Sequence, residues 1–420
     1  MMELYIEGIS HNGEGVARTD EGKVVFIPYT IPEEMVTAEI IEEKKQYSRG
    51  IVREIITASP FRVKPECPYY YQCGGCSYQH VEYKHQLYLK QRIVNDTLKR
   101  IGGIYSEAKF IIGMKTPWNY RNKVAWHLTR AGNTRKMGFY CFRSNELVDI
   151  EQCPLLLPEL NKASLLIRKM LPEIEIGEKS SIMLRHANQH AETMVQFIDC
   201  QPEESVLKEL SKAIQSIYIC QKGKSKLLSG KGEISQKTGE NTFALGPEDF
   251  FQVNPEQSDK LVNMVQHYLG LSSNAKVLDA YCGVGMFALN IAKDADLVIG
   301  VDSNPSAIRN AKKNAILNGL QNCQFITGSC EKIITDLKIR FTHIIIDPPR
   351  AGLKMKFINK ILSIAPELIV YISCNPATLA RDIKRFTTNN YTLTKVQPLD
   401  MFPQTHSIEN IVLLQKSIKD

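Results

Sequence analysis

Residues 367–380 read ELIVYISCNPATLA, an apolar β-branched run that ends on Cys374 and turns at Asn375-Pro376. A lone cysteine usually packs as a small hydrophobe, but one at the end of a strand stands on the rim of a sheet, where a thiol can act as a nucleophile. Methyl transfer to C5 of uracil is a reaction that needs one, because that carbon is a poor nucleophile by itself. A thiolate adding at C6 turns C5 into an enolate carbon, and a base must then strip the C5 proton so that the thiol can leave. The segment DMFPQTHSIENIVLL offers His406 and Glu409 as that base. His has the more convenient unperturbed pKa and Glu must be ionised and aimed at C5, so spacing does not choose between them.

A methyl donor would need its own site. Lys276 onward reads as a strand ending in Asp279, followed by a turn with Gly283 and Gly285, and the next strand ends at Asp302, where a carboxylate can take both hydroxyls of a ribose. Ala288 stands where a third glycine of a dinucleotide fingerprint would lie. With the Asp347-Pro348-Pro349-Arg350 motif closing a later strand, the pattern favours S-adenosylmethionine over a dinucleotide. Asp347 and Cys374 end strands of the same sheet and should face one cleft.

A third constellation lies far upstream. Cys67, Cys73 and Cys76 form a C-x5-C-x2-C arrangement, crowded as core cysteines seldom are, and a metal site is expected there. Zinc would take a fourth Cys or a His, and His80 or His85 could serve; an iron–sulfur cluster would take another Cys, which Cys153 offers. The spacing leaves both open.

These groups need scaffolds. The 420 residues exceed one ordinary domain, and 43% hydrophobic content supports several cores. Three regions are expected: a small β-barrel over 1–57, a mixed α+β unit over 58–245, and an α/β unit over 246–420, where alternating strands and helices imply a mostly parallel sheet covered on both faces. No signal peptide or run long enough to span a bilayer is evident, and eleven cysteines suit a reducing compartment. A soluble cytoplasmic protein with no membrane partner is expected, with monomer as the default. The three regions carry net charges of −5, +9 and +3. Within the middle one, residues 84–143 hold thirteen basic residues against Asp96 and Glu107, interleaved with aromatics including Tyr88, Tyr105, Phe110, Trp118, Tyr120, Trp126 and Phe142. Single-stranded RNA or DNA would suit such a segment, and a solvated basic face over core aromatics would suit it equally.

The motifs HNGEGVAR, VVFIPYTIP, CGGC, YRNKVAWH, FFQVNPEQ, LDAYCGVGMF, DPPRAGL, YISCNPATLARD and DMFPQTHSIE together resemble, over nearly the whole chain, the bacterial RNA (uracil-C5-)methyltransferases that carry a TRAM barrel, an iron–sulfur cluster and a C-terminal S-adenosylmethionine-dependent domain of Rossmann-like fold. The resemblance implies Cys374 as nucleophile and Glu409 as base. It implies Gln252, Tyr281, Asp302 and Asp347 as cofactor contacts, and Cys67, Cys73, Cys76 and Cys153 as holders of a [4Fe-4S] cluster. It further implies 5-methyluridine formation in RNA, in large-subunit (23S) ribosomal RNA rather than transfer RNA, because the transfer-RNA branch generally lacks barrel and cluster. Two positions depart from the pattern: Met286 replaces a small polar residue after Gly285, and Glu33 replaces a barrel-turn glycine. An inactive RNA-binding iron–sulfur protein and an amino-group methyltransferase are the competing readings; the latter usually carries an aromatic residue where Arg350 follows the two prolines.

Overall fold

The computed structural model describes residues 1–132 and 134–417. Residues 2–57 make a six-stranded sheet in which the alternating residues Leu4, Ala17, Val25, Ile27, Val36 and Ala38 turn inward and are buried together. The turn before its fifth strand, Met35–Glu43, holds Glu33 at φ 75°. That is the left-handed conformation glycine adopts freely and other residues adopt at about 1–2 kcal/mol, so the exchange of glycine for Glu33 has a backbone cost.

The middle region begins with the helix Tyr83–Thr97 and continues into a seven-stranded sheet whose long central strands are Lys123–Ala131, Ile174–Ala187 and Glu192–Pro202. Two of the aromatic residues of segment 84–143 are core here. Trp126 is fully buried and stacks on Phe139 with ring centres 4.6 Å apart, and Tyr120 is buried as well. Tyr88, Tyr105, Phe110 and Phe142 remain exposed. Trp126 and Tyr120 are therefore removed from any base-stacking surface, because apolar area gains more from burial than from a solvated face.

The last region is a seven-stranded sheet in the order 323–327, 297–302, 276–280, 343–346, 368–373, 409–416, 391–399. The first five strands are parallel; Glu409–Lys416 runs antiparallel to them, and Tyr391–Leu399, antiparallel to it, resumes their direction. The hairpin Ile234–Thr238 and Asn241–Leu245 packs Ile234, Phe243 and Leu245 into the same core. Three helices of this region begin on Asn-Pro: Asn254, Asn304 and Asn375 each accept backbone N–H bonds from the first turn, and each proline takes the first helical position. Proline there loses no bond and is preset for helix. Among the described residues, no helix is long and apolar enough to cross a membrane.

Candidate active site

Ligands of open α/β sheets collect beyond the carboxyl ends of the parallel strands, and there the structure places Tyr281, Asp302, Asp347 and Cys374, each at or just past the end of its strand. The antiparallel register pairs Ser373 with Asn410, so the flanking Cys374 and Glu409 come side by side at the same edge. Cys374 is half-buried and Glu409 buried. Arg350 supplies the charge between them. Burial, then the nearby Glu409 and Asp347, push the Cys374 thiol up, while the Arg350 charge opposes them, to about 11 in balance. Burial, then the proximity of Asp347, lifts the Glu409 carboxyl well above the usual range, and Arg350 opposes that shift. Asp347 is pushed up to about 7 by burial. One cation thus acts on both the thiol and the Glu409 carboxyl.

The sequence singled out Arg350 only for not being aromatic. Its position is fixed by Asn375, whose Oδ1 accepts from Ala377 N–H at 3.0 Å while its Nδ2 donates to the Arg350 carbonyl at 3.2 Å. That carbonyl also accepts from the Thr378 hydroxyl at 3.3 Å.

Tyr281 and Asp302 form the adjoining part of the edge. Tyr281 has φ 65°, and its half-buried ring meets Phe357 edge-on with centres 5.8 Å apart. A tyrosine held in the left-handed region is strained, and such residues gather where ligands bind. Asp302 accepts from Gly283 N–H at 3.0 Å and Asn304 N–H at 2.8 Å. Gly283, at φ 54°, has open space where a Cβ would stand, so a ligand can approach its backbone closely. Behind this turn Asp279 is fully buried; one oxygen accepts from Ala288 N–H at 2.9 Å, the other has no partner, and burial lifts its pKa to about 8. Met286 is buried in the core at the start of its helix. Gln252 is buried too, two residues before Asn254, which donates to the Met401 carbonyl at 3.1 Å.

Segment 400–406, which leads to Glu409, is held by side chains from much earlier in the chain. Lys90 donates to Asp400 Oδ1 at 2.5 Å and to the Phe402 carbonyl at 3.1 Å; Tyr83 donates to Asp400 Oδ2 at 2.9 Å. Tyr120 donates to the Pro403 carbonyl at 3.0 Å, Gln86 accepts from Gln404 N–H at 3.1 Å, and Ser77 accepts from His406 N–H at 2.8 Å. His406, with Nδ1 3.2 Å from the same Ser77 hydroxyl, is driven down to about 4 by burial and by the cations Lys90 and Arg350.

A second site lies beyond Ser77. Cys67, Cys73, Cys76 and Cys153 line one cavity of about 440 Å³, together with Cys141, which the spacing argument did not reach. His80 and His85 do not line it: His80 Nδ1 bonds the Tyr70 hydroxyl at 2.7 Å, and His85 stacks on Phe61 at 3.9 Å. The zinc arrangement with either histidine is thereby corrected. Among the described residues, no three His, Cys, Asp or Glu groups close round a point as a lone metal ion requires. A smaller cavity of about 210 Å³ joins the two sites, with Gly75, Cys76 and Ser77 on one wall and Arg350, Thr405 and His406 on another.

The family model described as tRNA (uracil-5-)-methyltransferase matches residues 233–417, and the TRAM domain model matches residues 1–52. An RNA methyltransferase of Halalkalibacterium halodurans is 35% identical, with 99% of this chain and 97% of the relative aligned. One from Caldanaerobacter subterraneus is 36% identical over 99% and 98%. The chain therefore belongs to the RNA methyltransferases of the uracil-5 family, and it is an RNA methyltransferase enzyme with an N-terminal TRAM domain. Among solved structures, Pyrococcus abyssi tRNA (uracil-54, C5)-methyltransferase in complex with S-adenosyl-L-homocysteine superposes with a TM-score of 0.78 at 27% identity, covering 98% of this chain and all of that one.

Proposed function

We propose that this enzyme methylates C5 of a uridine in RNA through a covalent adduct between Cys374 and C6. The observation that carries this reading is the placement of Cys374 beside Glu409 at the end of paired strands, with the Arg350 charge acting on both groups. Cys374 adds to C6 as the thiolate, which the Arg350 guanidinium favours. C5 then has enolate character and accepts the methyl group. Glu409 removes the C5 proton, the C6–S bond breaks, and the thiol is regenerated. Glu409 suits the base role better than His406: a buried carboxylate with a raised pKa is the stronger base once ionised, whereas an imidazole lowered to about 4 is a weak one already committed to Ser77.

Gln252, Tyr281, Asp302 and Asp347 would hold S-adenosylmethionine, which supplies an electrophilic methyl group; the open approach over Gly283 and the partnerless oxygen of buried Asp279 fit a polar nucleoside ligand. Cys67, Cys73, Cys76 and Cys153 would hold a [4Fe-4S] cluster, for which four thiols around a cavity are a fitting donor set. Its role would be to fix the chain near segment 400–406, since the methylation needs no electron transfer.

Ribosomal RNA is the substrate we propose first. The second reading, transfer RNA, is favoured by the solved relative of matching length, whose name gives a tRNA substrate; its match over 98% of this chain weakens the argument that the barrel marks the ribosomal branch. Release of tritium from uridine C5, measured separately on ribosomal and transfer RNA transcripts with S-adenosylmethionine, decides between them. Methylation without tritium release from either would move the target to a base amine and overturn the reading.

A further inference from the structure

Cys141 has no part in the proposed function, yet it lies across the backbone from a proposed cluster ligand. Cys73 and Cys141 form an isolated antiparallel bridge. The bond that frames it runs from Gly74 N–H to the Tyr140 carbonyl at 2.9 Å, joining the residue after one cysteine to the residue before the other. This is the pattern of a non-hydrogen-bonded pair, in which opposed Cα atoms lie about 4.5 Å apart and both side chains point to the same face. A disulfide takes Cα separations of about 4.4–6.8 Å. Both thiols line the same cavity, and Cys141 also lines the neighbouring groove of about 760 Å³ beside Tyr71 and Arg143, which gives a small-molecule thiol or disulfide a way in.

We propose that Cys73 and Cys141 form a thiol–disulfide site that closes under oxidising conditions and opens on reduction. With glutathione disulfide as oxidant, a thiolate of the pair attacks it, forming a mixed disulfide and releasing one glutathione thiol. The second protein thiolate then attacks the mixed-disulfide sulfur of its neighbour and releases the other glutathione. Two protein thiols lose two electrons and two protons; glutathione disulfide gains them. Cys73 competes between this bond and the cysteine cavity, so closing the disulfide removes one of four thiols from the proposed cluster ligands. Cys76, three residues from Cys73, is the alternative partner. Gly74 and Gly75 separate those two, with Gly75 N–H donating to Cys73 Sγ at 3.4 Å, and no ladder pairing sets their spacing as it sets that of Cys73 and Cys141.

The test uses the full-length chain stripped of metal by a chelator, incubated with glutathione disulfide, alkylated and mapped by peptide mass spectrometry. The expected result is a linked pair of peptides containing Cys73 and Cys141, lighter than their sum by two hydrogens and released by dithiothreitol. Cys141→Ser should lose this pair and retain glutathione on Cys73, while Cys220→Ser leaves it intact; matching circular dichroism melts show that each variant is folded. Linkage of Cys73 to Cys76 or Cys67 in the wild type, or glutathione adducts alone, would overturn the proposal. The competition with the cluster rests on the cluster reading and is read separately: iron and sulfide uptake by the oxidised wild type should fall at least tenfold and recover after dithiothreitol. If no form of the protein takes up iron, the cluster reading fails and the disulfide stands on the peptide map.

Discussion

Lys90 Nζ lies 2.5 Å from Asp400 Oδ1, and neither side chain reaches solvent. The pair joins the helix Tyr83–Thr97 to the segment that precedes Glu409, 310 positions later in the chain. Removing one member leaves the other charge buried alone, which typically costs about 3–5 kcal/mol, whereas replacing both with apolar groups is often neutral. Lys90→Met should therefore lower the urea midpoint sharply, and Lys90→Met with Asp400→Leu should recover most of the loss. Equal destabilisation by the single and double variants would show that the pair does not act as a unit.

Cys374→Ala should abolish turnover while leaving S-adenosylmethionine binding, measured by calorimetry, within about twofold, because the proposed mechanism puts the sulfur on the RNA rather than on the methyl donor. Glu409→Gln should transfer the methyl group once and stall, leaving a protein–RNA adduct that survives a denaturing gel. Product release at the wild-type rate would place the base elsewhere.

With the Cys374 thiol pushed up to about 11, the thiolate fraction, and with it kcat/KM, should climb roughly tenfold per pH unit from 7 to 9 without a plateau. Arg350→Met removes the cation that opposes this shift, so it should cut kcat/KM at pH 7.5 by at least tenfold and keep the rise going to still higher pH. An unchanged profile would remove Arg350 from the chemistry.

Asp279 carries a different pH signature. Its folded pKa of about 8 lies above the ordinary carboxyl value, so between those two limits the folded state binds the extra proton and stability falls as pH rises. The melting temperature of the cofactor-free protein should drop from pH 5 to 8.5. Asp279→Asn, which cannot ionise, should flatten that dependence and melt increasingly above the wild type toward pH 8.5. Parallel curves for the two proteins would show that Asp279 does not titrate across this range.

The carboxyl edge of the sheet was largely readable from sequence because buried parallel strands are continuous apolar runs, and each of these stops at or just before a polar residue: Asp302, Asp347, Cys374. The partners across the fold were not. Lys90 sits in an amphipathic helix, where a lysine reads as solvated, and only the return of Asp400 buries it. Arg350 reads as the residue after two prolines, and its influence on Cys374 arises because the strand it follows pairs with the one that Cys374 ends. Trp126 and Tyr120 looked equally suited to RNA and to a core, since residue type does not reveal which face of a strand is covered. Cys141 lay outside every spacing rule because its relation to Cys73 is a cross-strand one. The strand Tyr391–Leu399, with its lysine and threonines, gave too weak an alternation to be expected.

Asn375 begins the helix that follows Cys374 and, through its amide nitrogen, also holds the backbone of Arg350. The proposed nucleophile and the cation that tunes it are therefore tethered to one small side chain. A substitution at this asparagine would disturb the turn after the nucleophile and the backbone of the cation together, so its effect would be felt at both groups at once.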